Sequence, residues 1–263
     1  MAERLGKGIK RYFKDNLGIL CALAVMILFL YVYPVTHETF LTQRNIFNVL
    51  RQSAPNLLLA CGMTMVIILG GIDLSVGSII AMSGVLGAAA VVWWGLPEIV
   101  GILIGILSGV IFGLFNGAII AKTQIPPFIV TLASMNIAKG IAYVYSGGKP
   151  IRCMTDAWKF LGAGYIGPVP TQVVTMFVVF IIAVLFLNRT RMGRHIYAVG
   201  GTSMSGGSGR LGGTLIGALI IGILDNGLNL MGVNSDWQFI IKGVVILGAV
   251  YMDFLRSRKR AKG

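Results

Sequence analysis

Eight long apolar runs separated by short polar connections organise this chain: residues 17–35, 52–71, 73–94, 98–121, 125–145, 172–187, 210–230 and 236–254. Most are close to the 20 or so residues that an α-helix needs to cross the hydrocarbon core of a bilayer. The apolar positions are continuous rather than alternating, which excludes a membrane β-barrel, whose strands alternate lipid-facing and lumen-facing residues. In lipid every backbone N–H and C=O must be satisfied internally, so such runs predict helices. The expected fold is all-α: a polytopic transmembrane helical bundle of about eight spans, forming one membrane domain over 1–263.

Composition sharpens this picture. Hydrophobic residues make up 56% of the chain and charged residues 12%, roughly half the charged share of a soluble domain. Too little polar surface remains to cover a water-exposed body. The net charge of +13 would suit a nucleic-acid binder only if it formed a patch on a folded surface. The basic residues instead flank apolar runs: Arg4, Lys7, Lys10, Arg11 and Lys14 precede the first, and Arg256, Arg258, Lys259, Arg260 and Lys262 follow the last. The first run is too long for a signal-peptide core and no small-residue cleavage site follows it, so it reads as a retained helix.

Charge also sets sidedness. With the N-terminus placed inside, Lys122, Arg189, Arg191, Arg194, Arg210 and both basic termini fall inside, whereas Arg44, Arg51, Lys149, Arg152 and Lys159 fall outside. The ratio of about three to one satisfies the positive-inside rule and places both termini in the cytoplasm. Trp93, Trp94, Trp158 and Trp237 then all lie at run ends on the outer side, where indole rings favour the interface.

Candidate chemistry is sparse. Cys21, Cys61 and Cys153 form no CxxC, and His37 and His195 lie in polar connections, so no metal site is expected. Among the 36 glycines, Gly101, Gly105 and Gly109 form a stripe that Gly113 and Gly117 extend; Gly213 and Gly217 form another. Such stripes let helices approach closely in lipid.

The most informative segment is 70–78, GGIDLSVGS, which sets Asp73 between two apolar runs and among Gly70, Gly71, Gly77 and Ser78. An ionisable group at membrane depth marks a functional site, and a glycine-broken helix exposes backbone that can line a pathway. Equally, Asp73 can cap the helix that follows it. Other polar residues within or beside the runs are Ser75, Asn116, Thr131, Ser134, Asn136, Asn226 and Asn229. A sugar is read by a few such groups in a mostly apolar cavity, although each can also serve as an interhelical hydrogen-bond partner. Phe128 and Trp237 could stack on a sugar ring or anchor at the interface. Lys139 and Lys242 lie inside runs within reach of the outer surface, and snorkelling is their simplest reading.

The 70–78 segment closely resembles the hallmark of the ribose-type permeases of ABC sugar importers. Segments 45–52 (NIFNVLRQ), 113–117 (GLFNG), 127–132 (PFIVTL), 193–201 (GRHIYAVGG) and 227–233 (GLNLMGV) also look like that family, in the family's order and over nearly the whole chain. The resemblance implies a permease of the bacterial inner membrane that pairs with a second permease subunit, a homodimer being the simplest case. It also implies a cytosolic ATPase, an extracytoplasmic binding protein and a monosaccharide substrate, ribose-like pentoses first. The permease would carry no catalytic residues and no cofactor, and the chain has no GxxxxGK[ST] phosphate loop. Asp73, Ser75, Asn116, Phe128, Thr131, Asn136, Asn226 and Asn229 become pathway candidates, and Arg191, Arg194 and His195 become candidates for cytosolic coupling.

One region departs from the family. After Gly201 the resemblance implies a cytosolic stretch with a helix that docks on the ATPase, then further spans, then a later glycine-rich loop. Here the two glycine pairs are merged within 200–207 (GGTSMSGG), as an internal deletion joined at Gly200-Gly201 would leave them. Loss of an even number of spans preserves the inside–outside parity. This departure supports a second reading, a transport-defective deletion product or non-transporting scaffold, which would insert in the membrane yet transport poorly.

The topology is directly testable. Cysteines placed within 146–171 should react with a membrane-impermeant maleimide from outside intact cells; labelling only after membrane disruption would reverse the assignment.

Overall fold

The computed structural model describes residues 17–123, 125–153, 155–202 and 211–260. The elements are α1 (Leu17–Val32), α2 (His37–Phe40), α3 (Gln43–Ile68), α4 (Val76–Val92), α5 (Glu98–Lys122), α6 (Pro127–Ser146), α7 (Asp156–Ala163), β1 (Tyr165–Ile166), β2 (Val169–Pro170), α8 (Thr171–Arg189), α9 (Arg191–Thr202), α10 (Leu211–Leu230) and α11 (Ser235–Arg260). Each of the eight apolar runs contains or forms a helix, so the protein is a helical membrane protein. Four helices (α5, α6, α8 and α10) are long and apolar enough to cross a membrane, and α1 and α4 are shorter apolar helices. The expected deletion junction lies largely outside the described residues, as do Arg210, the basic residues preceding α1 and Lys262.

Several boundaries differ from the apolar pattern for local reasons. Helix α3 starts at Gln43 rather than near residue 52 because the Thr42 hydroxyl accepts the Asn45 N–H at 3.3 Å, an N-cap that recruits a polar first turn. Helix α4 starts at Val76 rather than at Asp73, leaving 71–75 outside any regular element. Helix α6 opens where the sequence predicts, with Pro127 in the first turn, where its missing N–H costs nothing. The 146–171 connection, which carries no apolar run, contains α7 and a two-stranded antiparallel hairpin, Tyr165 opposite Pro170 and Ile166 opposite Val169. The Glu98 carboxylate accepts the Ala157 N–H at 3.0 Å, tying the first turn of α7 to the start of α5.

The described residues divide into two compact units, one from the 1–57 and 212–263 stretches and one from 58–211. In the first unit Leu30, Phe40, Val49 and Ile223 form a buried cluster. Close approach there depends on glycine: a Cβ at Gly227 would meet the Leu30 side chain, and one at Gly222 would meet Ser53. Asn45 and Asn226 exchange two amide hydrogen bonds, each 2.9 Å. Lys242 lies 3.0 Å from Asp225 and 5.0 Å from the Phe239 ring centroid. Snorkelling is therefore the wrong account of Lys242, whose charge is neutralised within the protein. Asp225, embedded in an apolar run, is the partner that the sequence reading passed over.

In the second unit α4 packs on both α5 and α6. Met82, Ala138 and Ala142 form the buried centre of the α4–α6 contact. The α4–α5 crossing uses glycine on both sides: a Cβ on either Gly87 or Gly101 would lie 2.8 Å from the carbonyl oxygen of the other. Gly105 and Gly109 continue the contact against Ser83, but Gly113 and Gly117 face open space within 4 Å. The stripe thus works over its first three members only. Gly101→Ala should destabilise the protein by about 1–3 kcal/mol, the usual cost of overpacking, whereas Gly113→Ala should leave the thermal midpoint in detergent unchanged. Equal shifts would contradict this packing.

Candidate functional site

The break between α3 and α4 follows from the sequence Leu69-Gly70-Gly71. Gly70 adopts φ +81°, a left-handed conformation that glycine enters without penalty. The Gly71 N–H bonds the Val66 carbonyl at 3.0 Å and the Gly70 N–H bonds that of Ile67 at 3.0 Å, the paired pattern of a Schellman cap. The chain then runs without regular structure to Ser75, leaving backbone groups that no helix satisfies.

Two side chains, Asp73 in the segment and Thr131 on α6, meet three of these groups, and a side-chain relay continues from Ser75 into α5 and α6. The Asp73 carboxylate accepts both the Ser75 N–H at 2.8 Å and the Ser75 hydroxyl at 2.6 Å. The Asn116 amide on α5 donates to the Ser75 hydroxyl at 3.2 Å, and the Ser134 hydroxyl on α6 donates to the Asn116 carbonyl oxygen. Thr131 lies close enough to the Leu74 N–H and the Ile72 carbonyl, 3.2 Å from each, to bridge the segment to α6. Ser75, Asn116, Thr131 and Ser134 are all buried, with 5% exposure or less. Four pathway candidates therefore meet in one relay: Asp73, Ser75, Asn116 and Thr131. The contacts observed for Asp73 are local: its carboxylate closes an Asx turn onto Ser75, the residue just before α4, and no side chain caps the α4 N-terminus itself.

The remaining candidates lie elsewhere. Asn226 pairs with Asn45 in the first unit. Asn229, exposed, accepts from the Gln238 amide at 2.9 Å. Asn136 is exposed and donates back to Leu132 in its own helix at 3.0 Å, and Phe128 is 47% exposed. Asn45, Ser134 and Gln238 complete these polar contacts. Asn45 lies inside a segment that carries the family resemblance, but nothing in its immediate sequence marks it as a partner of Asn226.

Gly77 and Ser78 border a cleft of about 410 Å³ that runs along α4 from Gly77 to Val85 and along α6 from Met135 to Ser146, closed by Gly148, Lys149 and Pro150. Helix α9 carries Arg191, Arg194 and His195, all exposed. Its two buried glycines lie seven residues apart on one face: a Cβ at Gly193 would strike the backbone of Phe186 and Leu187, and one at Gly200 the Ile68 carbonyl. Helix α9 thus lies flush against the end of α8 and the end of α3, two residues before Gly70.

Apolar membrane helices, a glycine-broken segment and a buried polar relay define the class, a multi-pass helical membrane protein. Comparison with known proteins narrows it. The family model described as the branched-chain amino acid transport system / permease component matches residues 45–205. The ribose import permease of Bacillus subtilis (strain 168) is 36% identical over 306 aligned positions, covering 92% of this chain and 94% of the relative. The ribose import permease of Escherichia coli (strain K12) is 34% identical, covering 88% and 92%, and the D-allose transport system permease of the same strain is 29% identical, covering 94% and 94%. No solved structure matches the chain. The chain belongs to the ribose-type permease family of ABC importers and is a multi-pass protein of the bacterial inner membrane. These relatives favour the importer permease over the non-transporting alternative. Since 92% of 263 residues is about 242, some 64 of the 306 positions aligned with the Bacillus relative hold no residue of this chain.

The Asp73 turn makes a separable prediction. Asp73→Ala, which removes both acceptor bonds, should cost about 1–3 kcal/mol of stability. Asp73→Asn keeps an oxygen in place and should unfold at the wild-type midpoint. Sugar uptake by Asp73→Asn then isolates the charge: a loss of uptake with unchanged stability assigns the carboxylate a role in transport, and wild-type uptake confines it to the turn.

Proposed function

We propose that this chain forms half of a homodimeric translocation pathway for ribose or a similar monosaccharide, driven by a separate cytosolic ATPase and supplied by an extracytoplasmic sugar-binding protein. The observation that carries the reading is the end-to-end similarity to two ribose import permeases, 36% and 34% identical, against 29% for the allose permease. Eight spans with both termini in the cytoplasm complete the proposed topology, and ATP hydrolysis belongs to the partner subunit.

The unmatched positions support reading 200–207 as the junction of an internal deletion, and the family match likewise stops at residue 205. Coupling to the ATPase then falls to α9. Its basic residues Arg191, Arg194 and His195 are exposed, and its glycine face rests on Ile68, next to the break at Gly70. A displacement of α9 by the ATPase would press on the break and, through Asp73 and Ser75, on α5 and α6. ATPase closure can bias transport only through such a differential contact.

The test is uptake of labelled ribose in a strain lacking its own permease, with this chain expressed beside its ATPase and binding protein. ATPase-dependent uptake of ribose over allose is the expected result; stable insertion without uptake would restore the transport-defective reading. Gly200→Val should abolish uptake with little loss of inserted protein. Unimpaired uptake in that variant would remove α9 from the coupling route.

A further inference from the structure

The cleft between α4 and α6 has an uneven lining. Its walls are apolar, contributed by Ala81, Val85, Met135 and Ala142. Its polar groups are Ser78, Ser146, the Tyr143 side chain and two cations, Lys139 and Lys149, with no acidic residue among them. Lys139 holds its ammonium 5.9 Å from the Tyr143 ring centroid, and among the described residues neither lysine has an ion-pair partner. Lys242, the other lysine within an apolar run, is neutralised by Asp225 at 3.0 Å. A cation beside hydrocarbon is costly until an anion reaches it.

The two helices run side by side in the same direction, with Leu74 beside Thr131 and Trp94 beside Tyr145. The cleft therefore extends along the helix axes, and Lys149 marks the end at which α6 stops. Ile137 and Val144 on α6 are 49% and 82% exposed, so apolar surface continues beyond the cleft. An apolar trough with two unpaired cations towards one end matches an anionic amphiphile, with its chain along Ala81, Val85 and Ala142 and its charged head at Lys139 and Lys149. A neutral sugar would leave both charges unanswered.

We propose that this cleft binds a phospholipid with a net-negative headgroup, of the phosphatidylglycerol type, at a defined site on the permease. The phosphate lies between the two ammonium groups, with the Ser146 and Tyr143 hydroxyls within the same lining to donate to its oxygens, and one acyl chain occupies the trough. The proposal does not rest on the identity of the transported substrate.

Native mass spectrometry of the full, delipidated chain tests this, with phosphatidylglycerol and phosphatidylethanolamine offered at equal concentration. The wild type should retain phosphatidylglycerol in preference. Lys139→Gln/Lys149→Gln should weaken that retention roughly tenfold or more, given the worth of each cation near an anionic headgroup, and should leave phosphatidylethanolamine unaffected. Lys139→Arg/Lys149→Arg should keep the preference, and Lys122→Gln, which lies outside the cleft, should not change it. Should the double glutamine variant fail to fold, Lys149→Gln alone, on the exposed turn, should still reduce retention. Equal retention of the two lipids by the wild type, or undiminished retention in the glutamine variants, would overturn the proposal. Displacement of the lipid by sn-glycerol 1-phosphate at comparable concentration would also overturn it, since the site would then belong to a soluble anion.

Discussion

In a bilayer an unsatisfied backbone group has no water to turn to, and this constraint governs the arrangement around residues 70–75. The Gly70-Gly71 pair ends α3 with its own carbonyls capped, but the non-helical residues that follow need partners. The Asp73 and Thr131 side chains supply them, and Ser75, Asn116 and Ser134 extend the chain of hydrogen bonds into α5 and α6. A buried network is stabilising when every member is satisfied and costly when one is missing. The break is therefore fixed to three helices at once, so a movement of the break must move them together.

Glycine supplies the complementary property. At the α4–α5 crossing, Gly87 and Gly101 bring backbone against backbone, and Gly200 does the same between α9 and Ile68. Contacts with no intervening side chain transmit a displacement rather than absorb it in rotamer changes. In the proposed coupling route, the Gly200 contact at Ile68 carries a movement of α9 to the edge of the relay that ties α5 and α6 to the break.

Much of this was legible in the residues. The continuous apolar runs specify helices because backbone satisfaction in lipid allows little else, and GGIDLSVGS announces the break. Helix boundaries were less legible, α3 starting at Gln43 well before its apolar run, because capping side chains such as Thr42 add polar turns that hydropathy does not see. Pairings such as Asn45 with Asn226 and Lys242 with Asp225 were not legible, because they join residues whose spacing in the chain carries no period. Which side of its helix a polar or aromatic residue occupies was not legible either, because packing decides it. Thr131 and Ser134, on the same helix α6, are turned into the relay, while Phe128 and Asn136 are exposed.

The relay itself is best tested by a double-mutant cycle between Asn116 and Ser134, on different helices, using Asn116→Ala, Ser134→Ala and the double variant in reversible unfolding from detergent micelles. The hydrogen-bonded relay predicts that each single change destabilises the protein and that the double change costs less than their sum, with a coupling of about 0.5–2 kcal/mol. Strictly additive losses would show that Asn116 and Ser134 do not act as one hydrogen-bonded pair between α5 and α6, contradicting the relay.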